Sequence, residues 1–365
     1  MRVEEITLES FRNYERQSVK FDPGINVIAG KNAQGKTNLL ESVFFLSCGH
    51  SFRTRNDKEL ISFGESFARV SGNIFSQERE RELVISFGAG LKKKAESGGA
   101  RIALSELSEA LRVVLFSPED LNIIKDGAAR RRRFLDIALG QLRPNYARIL
   151  AEYSRLYDHK KRILTEWREK RSMLDMLDEF SDSLSRASAQ LIRYRAAYIR
   201  KLRESAKPLY SELSGGEQLE LSYKTVSTVT DPFATAREIY EQVSEHERLH
   251  REAELQSGSV LSGIHKDELE IFINDSPARA YASQGQTRSA ALALKMAERE
   301  VSRLDTGETP VLLLDDVLSE LDSSRQEFVL NRIGGGQTLI TCCEDEEIRR
   351  RTGGRVFTVE GGRLV

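Results

Sequence analysis

Gly30-Lys31-Asn32-Ala33-Gln34-Gly35-Lys36-Thr37 fits the pattern GxxxxGKT in full. It follows an apolar run over residues 24–29 that reads as a strand, and it leads into a stretch that reads as an amphipathic helix from near Lys36. Strand, glycine loop and helix in that order make a phosphate cradle: glycines let main-chain amides wrap an anion, and the helix start adds partial positive charge. Lys36 is then expected to reach the β and γ phosphates of a nucleotide, and Thr37 to offer its hydroxyl to magnesium.

A phosphate loop needs a second metal ligand from the end of a buried strand. Val311-Leu312-Leu313-Leu314-Asp315-Asp316 supplies an apolar run ending in two carboxylates. Asp315 is expected in the Mg2+ shell, and Asp316 beside the γ phosphate as the base that orients the attacking water.

Two peptides compete for a third role, a helix start that completes a partner copy's site with a serine hydroxyl and main-chain amides. Leu213-Ser214-Gly215-Gly216-Glu217 is the more literal LSGGQ, but strand-like LELSY follows it, so it reads as a turn. Ala282-Ser283-Gln284-Gly285-Gln286 opens the helical stretch TRSAALALKMAERE ahead of the aspartate strand, and is preferred. Ser283, Gly285 and Gln286 are therefore expected to act in trans. Ser319-Glu320-Leu321-Asp322 has the form of the D-loop that crosses such an interface.

The phosphate loop and the aspartates lie at opposite ends of 365 residues, a length that suits two domains or one domain with a large insertion. Residues 67–87 read as a hairpin with SQERERE as its turn, and KKKAESGGAR as a second polar turn, so an antiparallel β subdomain is expected. From Ser117 the pattern is helical, with Pro144 separating two helices, a further helix from about Asp178 to Pro208, and another over roughly Pro232–Leu255. From Gly258 a strand (ELEIFIN), a helix from Gln286 to about Leu304 and three further strands alternate as in an α/β sheet. The expected division is 1–115 and 258–365 as one head, with 116–257 inserted as a mainly helical arm.

With a formal net charge of -1, any nucleic-acid role must come from local basic patches. Candidates are Lys92, Lys93 and Lys94; Arg130 to Arg133; Lys160 to Arg162; and Arg349 to Arg351, although most such runs are solvated faces. His246 and His250 have metal-compatible spacing, but lacking a third ligand they read as an exposed helix face. Trp167 reads as helix packing. Cys48, Cys342 and Cys343 make no disulfide framework, and no apolar run approaches a membrane span or a leader, so a reducing cytoplasm is expected.

Taken in order, these motifs resemble the RecF family of recombination-mediator ATPases, related to the SMC-like ABC ATPase heads, and the likeness covers nearly the whole chain. Family-like pieces are Phe11-Arg12-Asn13-Tyr14, Asn38-Leu39-Leu40-Glu41, FSPEDL over 116–121 and Arg131-Arg132-Arg133-Phe134-Leu135-Asp136. The resemblance implies an α/β fold: an ABC-type P-loop head with an antiparallel β subdomain and an inserted helical arm. It implies that ATP is bound by Arg12, Asn13, Gly30, Lys31, Asn32, Ala33, Gln34, Gly35, Lys36, Thr37, Asn38, Ser283, Gly285, Gln286 and Asp322. It further implies an ATP-held homodimer that binds DNA at single-strand gaps or junctions and helps load RecA with RecR and RecO.

The chain departs from the family at Ala33, where glycine is common, and at Gly263-Ile264-His265-Lys266-Asp267, where the family has GPHRD. Thr341, Cys342 and Cys343 occupy the place of a switch histidine in many ABC proteins, and no Q-loop glutamine stands out, so slow hydrolysis is expected. Two other readings fit the motifs: an ABC transporter ATPase subunit, and a switch that dimerises on ATP without hydrolysing it.

Overall fold

Strands from both chain ends and from the middle meet in one sheet. In the computed structural model, which describes residues 1–343 and 350–365, β3 (Ile25–Ala29) lies between β13 (Thr338–Cys342) and β14 (Arg355–Glu360). Beyond β13 come β12 (Val311–Asp315) and β8 (Val113–Phe116), all five strands running parallel. β15 (Arg363–Leu364) adds an antiparallel edge beside β14. β8 and β12 are buried along their whole length, as parallel strands covered on both faces must be, and this explains their unbroken apolar runs.

A second sheet is antiparallel throughout, in the order β2 (Tyr14–Lys20), β1 (Arg2–Phe11), β4 (Phe67–Ser76), β5 (Arg79–Gly88), β6 (Leu91–Ser97), β7 (Ala100–Ile102). Two expectations are corrected here. The hairpin turn is only Gln77-Glu78, both at positive φ (53° and 58°), which matches the twist of tightly joined strands; the rest of SQERERE is ladder. KKKAESGGAR is likewise mostly strand, turning only at Gly98-Gly99. One face of this sheet meets solvent, so Lys92 and Lys94 lie exposed in β6 while Ala95 is buried.

α1 (Lys36–Cys48) packs on strands of both sheets. It buries Leu39, Leu40, Val43, Phe44, Phe45 and Leu46, so it is a core helix and not the amphipathic one expected. Its approach to β4 is close enough that a Cβ on Gly72 would stand 2.8 Å from Leu46 Cδ2.

The chain divides into two compact units, one of residues 1–122, 212–215 and 284–365, the other of 123–211 and 216–283. The first also holds α2 (Leu107–Ala110), α8 (Gln284–Thr306) and α9 (Ser323–Leu330). The second boundary differs from the expected 257/258 because β10 (Glu268–Ile273) pairs over its full length with β9 (Leu219–Lys224), and β11 (Ser276–Pro277) extends that sheet. A strand joins the unit that satisfies its ladder.

Helices α3 (Ala128–Leu142), α4 (Pro144–Glu166), α6 (Ala236–Ser257) and α7 (Ala278–Tyr281), with most of α5 (Leu177–Ser214), complete the second unit. Pro144 stands in the first turn of α4, where its missing N–H costs nothing. α5 runs through Pro208 to Ser214, longer than expected, since one proline removes one helical bond without ending a helix held by its neighbours. α6 starts at Ala236, not Pro232, because Thr235 and Glu238 form a reciprocal capping box.

Arg195 is 1% exposed at the centre of this unit, bonded to Asp267 Oδ2 (2.7 Å), Asp136 Oδ1 (2.7 Å), Ile264 O and the Tyr146 hydroxyl. His246 corrects another expectation: it is buried, 2.6 Å from Ser262 Oγ and stacked on His250, because α6 turns that face inward. No group of three or more His, Cys, Asp or Glu able to hold a metal occurs among the described residues. Trp167 donates to Leu255 O at 3.3 Å.

Candidate nucleotide site

The loop from Gly30 to Thr37 joins the end of β3 to the first turn of α1. Gly35 has φ 119°, and a Cβ there would lie 2.7 Å from Asn13 Nδ2, so glycine is required on both counts. Ala33 adopts φ 65°, a left-handed conformation strained for any residue with a Cβ, which makes its departure from glycine a cost stored in the loop.

Lys36 is 6% exposed, and its ammonium donates to Gly30 O (2.5 Å) and Lys31 O (2.9 Å). Thr37 Oγ1 donates to Asp315 Oδ1 at 2.8 Å, bringing loop and aspartate strand together. Burial pushes the Asp315 carboxyl above the usual carboxylate range, against bonds from Thr37 and Thr341. A threonine hydroxyl beside a carboxylate is a hard-oxygen donor pair suited to Mg2+. Asp316 follows at φ 52°, with its N–H on Thr341 Oγ1 (2.8 Å) and its carbonyl accepting from Ser319 Oγ (2.7 Å).

Other expected residues take different places. Asn13 touches the loop, donating to Gln34 O (2.9 Å) and accepting from Asn38 Nδ2 (2.8 Å). Gln34 in turn accepts from Gly361 and Gly362 N–H, and Tyr14 donates to Gly35 O at 3.0 Å. Arg12 points instead to fully buried Glu41, with two bonds of 2.8 Å, and donates a third to Glu59 O. Glu41 also accepts from Ser51, so it organises the loop's surroundings, a role that reading the sequence alone did not assign. Its available signal was an acid set between Leu39, Leu40 and Val43, Phe44 in the helix that follows the loop. Cys343 lies exposed with Sγ 2.9 Å from Asn32 Oδ1 and 3.7 Å from Lys36 Nζ.

Ser283 precedes the first residue of α8 and is exposed, as is Gln284. Leu213 and Ser214, by contrast, end α5, and Gly215 and Gly216 reverse the chain at φ 73° and 111°, so that peptide presents no helix start. Asp322 caps α9, accepting from Arg325 N–H at 3.0 Å. Arg325 ties this segment to α8: its side chain pairs with Asp322 and donates to Gly285 O (2.9 Å) and Ser289 Oγ (3.0 Å).

Among the basic clusters, Arg131 is 3% exposed and gives its N–H groups to both oxygens of Glu268 and to the carbonyls of Ile123, Ile124 and Asp126. It is an internal cross-link, not the DNA contact expected. Lys93 bonds Gly49 O and pairs with Asp57 at 2.9 Å, again within the fold. Arg130 pairs with Asp126, and Lys160 is buried between Glu247 and Glu254. Lys92, Lys94, Arg350 and Arg351 are exposed; Arg349 lies outside the described residues.

A family model for the RecF/RecN/SMC N terminal domain matches residues 2–359. A "DNA replication and repair protein RecF" from Bacillus subtilis is 37% identical, with 100% of each chain covered, and one from Halalkalibacterium halodurans is 38% identical over 100% of this chain and 99% of its own. The chain belongs to the RecF family.

A solved structure of the recombination mediator protein RecF with ATP, in the RecFOR pathway, superposes with a TM-score of 0.91 at 34% identity, covering 100% of this chain and 96% of its own. An Smc head domain from Pyrococcus furiosus, 17% identical at a TM-score of 0.55 and covering 100% and 95%, shares the fold. The RecF-family chain thus has the expected α/β fold of an ABC-type ATPase head, and no helix among its described residues is long and apolar enough to cross a membrane.

Proposed function

We infer that this RecF-family chain is an ATP-dependent DNA-binding protein of recombinational repair and replication. ATP held by the loop of one copy is sealed by Ser283, Gly285 and Gln286 of a second copy. The observation that carries the reading is the 2.8 Å bond from Thr37 to Asp315, because it closes a phosphate loop against a strand-end carboxylate.

Lys36 binds the β and γ phosphates, while Thr37 and Asp315 hold Mg2+. Bound there, the ion supplies charge neutralisation at the transferring phosphoryl group. Asp316 orients the attacking water; Asn13, Gln34 and Asn38 shape the loop; Asp322 and Arg325 hold the D-loop to α8. The ATP complex of a 34%-identical RecF supports nucleotide binding at this loop.

On DNA the dimer acts in the cytoplasm at single-strand gaps or junctions and helps load RecA with RecR and RecO. Lys92 and Lys94 are the basic side chains offered to phosphates. Hydrolysis is slow and DNA-stimulated. The test is chain mass in solution with ATP, with ADP and without nucleotide, together with salt-dependent binding to gapped, duplex and single-stranded DNA. A dimer with ATP alone and ATP-dependent preference for gapped DNA are expected. A monomer under all conditions, or binding indifferent to ATP, would reject the reading.

A further inference from the structure

Beyond the residues given roles above, we propose that Thr341 is a positioning residue of the nucleotide site: one hydroxyl that fixes the Asp315 carboxylate and the Asp316 backbone together. The proposal rests on the nucleotide-site reading and deepens it.

Thr341 is the last residue but one of β13, directly opposite Asp315 in the parallel register, and it is 1% exposed. Its Oγ1 stands 2.8 Å from Asp316 N and 3.0 Å from Asp315 Oδ1. The amide can only donate and a carboxylate only accept, so the single hydroxyl proton points at Asp315 while a lone pair takes the Asp316 N–H. One atom thus serves both groups, and Leu314 O, at 3.5 Å against 3.0 Å for Asp315 Oδ1, is the more distant acceptor for its proton.

Two consequences follow from that geometry. Asp315 Oδ1 receives hydroxyls from two different elements, Thr37 on α1 and Thr341 on β13, so the carboxylate is held from two sides. Asp316 sits in left-handed backbone at φ 52°, a conformation that persists only where surrounding bonds hold it. Thr341 supplies one such bond at its amide and Ser319 another at its carbonyl.

Its chain neighbours serve other ends. Cys342 points into the cluster of Val27 and Ala29, and Cys343 reaches Asn32 and Lys36. Thr341 therefore couples the position of the metal-side carboxylate to the conformation of the water-side one, as a side chain outside the phosphate loop and outside the aspartate pair.

Thr341→Val keeps the shape and removes the hydroxyl, whereas Thr341→Ser keeps the hydroxyl and removes a methyl. The full chain is titrated with Mg2+ at fixed fluorescent ATP analogue, following equilibrium binding, with thermal melting alongside. Thr341→Val is expected to bind the analogue without metal as the parent does but to require about tenfold more Mg2+ for the metal-dependent gain, the scale of one lost bond to a charged group. Thr341→Ser is expected within about twofold of the parent. A packing role reverses the order, because serine then leaves the larger defect.

An unchanged Mg2+ requirement in Thr341→Val, or an equal rise in Thr341→Ser, overturns the proposal. Thr341→Ala repeats the test should the valine protein not fold. Asp315→Ala separates the two levels of inference. If it leaves the Mg2+ requirement unchanged, the nucleotide-site reading itself fails; if it raises the requirement while Thr341→Val does not, only the role of Thr341 fails.

Discussion

Thr37 Oγ1 and Asp315 Oδ1, 278 positions apart in the chain, are joined by a 2.8 Å hydrogen bond. That bond makes the two chain ends one site, and it separates the tasks of neighbouring residues. Lys36 anchors to the loop carbonyls, Asp315 to the hydroxyls, and Asp316 stands just outside on a strained backbone.

Lys36→Ala should therefore weaken ATP binding by roughly 10- to 100-fold, the range of a lost charge-assisted bond. Asp316→Asn should bind ATP like the parent and lose turnover, since asparagine tolerates the left-handed backbone that Asp316 adopts at φ 52°. Equilibrium binding and phosphate release measured on the same preparations check both. Undiminished turnover in Asp316→Asn would remove it from the chemistry.

The loop and the aspartates were legible because each is local: glycines at fixed spacing and an apolar run ending in acids need no tertiary information. Arg131 was not. A run of four arginines looks solvated until the chain folds Glu268 and three carbonyls around one of them. The lysines of β6 failed the same way, because a half-exposed strand accepts charge on alternate residues and so imitates a polar turn. α1 reads as amphipathic because its sequence does not say that strands of two sheets pack against it. The expectation that Arg12 approaches the nucleotide rests on resemblance alone, and its bonds to Glu41 are visible only in three dimensions.

Ser283 is exposed at the start of α8, so Ser283→Arg should fold, bind ATP and fail to dimerise. Arg325→Ala should give the same split for a different reason. Without its bonds to Gly285 O and Ser289 Oγ, the D-loop and the helix start are no longer held in one arrangement. Light scattering with ATP is the measurement, with binding of ATP by the monomer as the control. Normal dimers from the Ser283→Arg protein would reject residues 282–286 as the interface peptide.

Arg131 and the exposed β6 lysines should part company in a DNA assay. Arg131→Ala leaves Glu268 without its bidentate partner and is expected to cost about 3 kcal/mol of stability, with the salt dependence of DNA binding unchanged in the protein that remains folded. Lys92→Glu with Lys94→Glu should leave stability within about 0.5 kcal/mol and flatten the dependence of affinity on salt. Melting curves and binding isotherms at several salt concentrations decide it; a salt slope unaltered by the lysine changes would exclude this face of the sheet.

His265 gives the second unit an acid limit of its own. Burial pushes its pKa from 6.5 down to about 4. Its Nε2 lies 2.9 Å from Val260 O, a carbonyl that can only accept, so Nδ1 must accept from the Tyr153 hydroxyl 2.7 Å away, which an imidazolium cannot do. The folded value lies below the unfolded one, so the folded state favours the neutral ring. The contribution is fully present above pH 6.5 and is lost as pH falls toward 4. His265→Gln keeps a donor for Val260 O and removes the titration. Between pH 7.5 and pH 5 the parent should lose up to about 2 kcal/mol more stability than this variant, measured by denaturant unfolding at each pH. Equal losses in the two proteins would show that the ring does not titrate with folding.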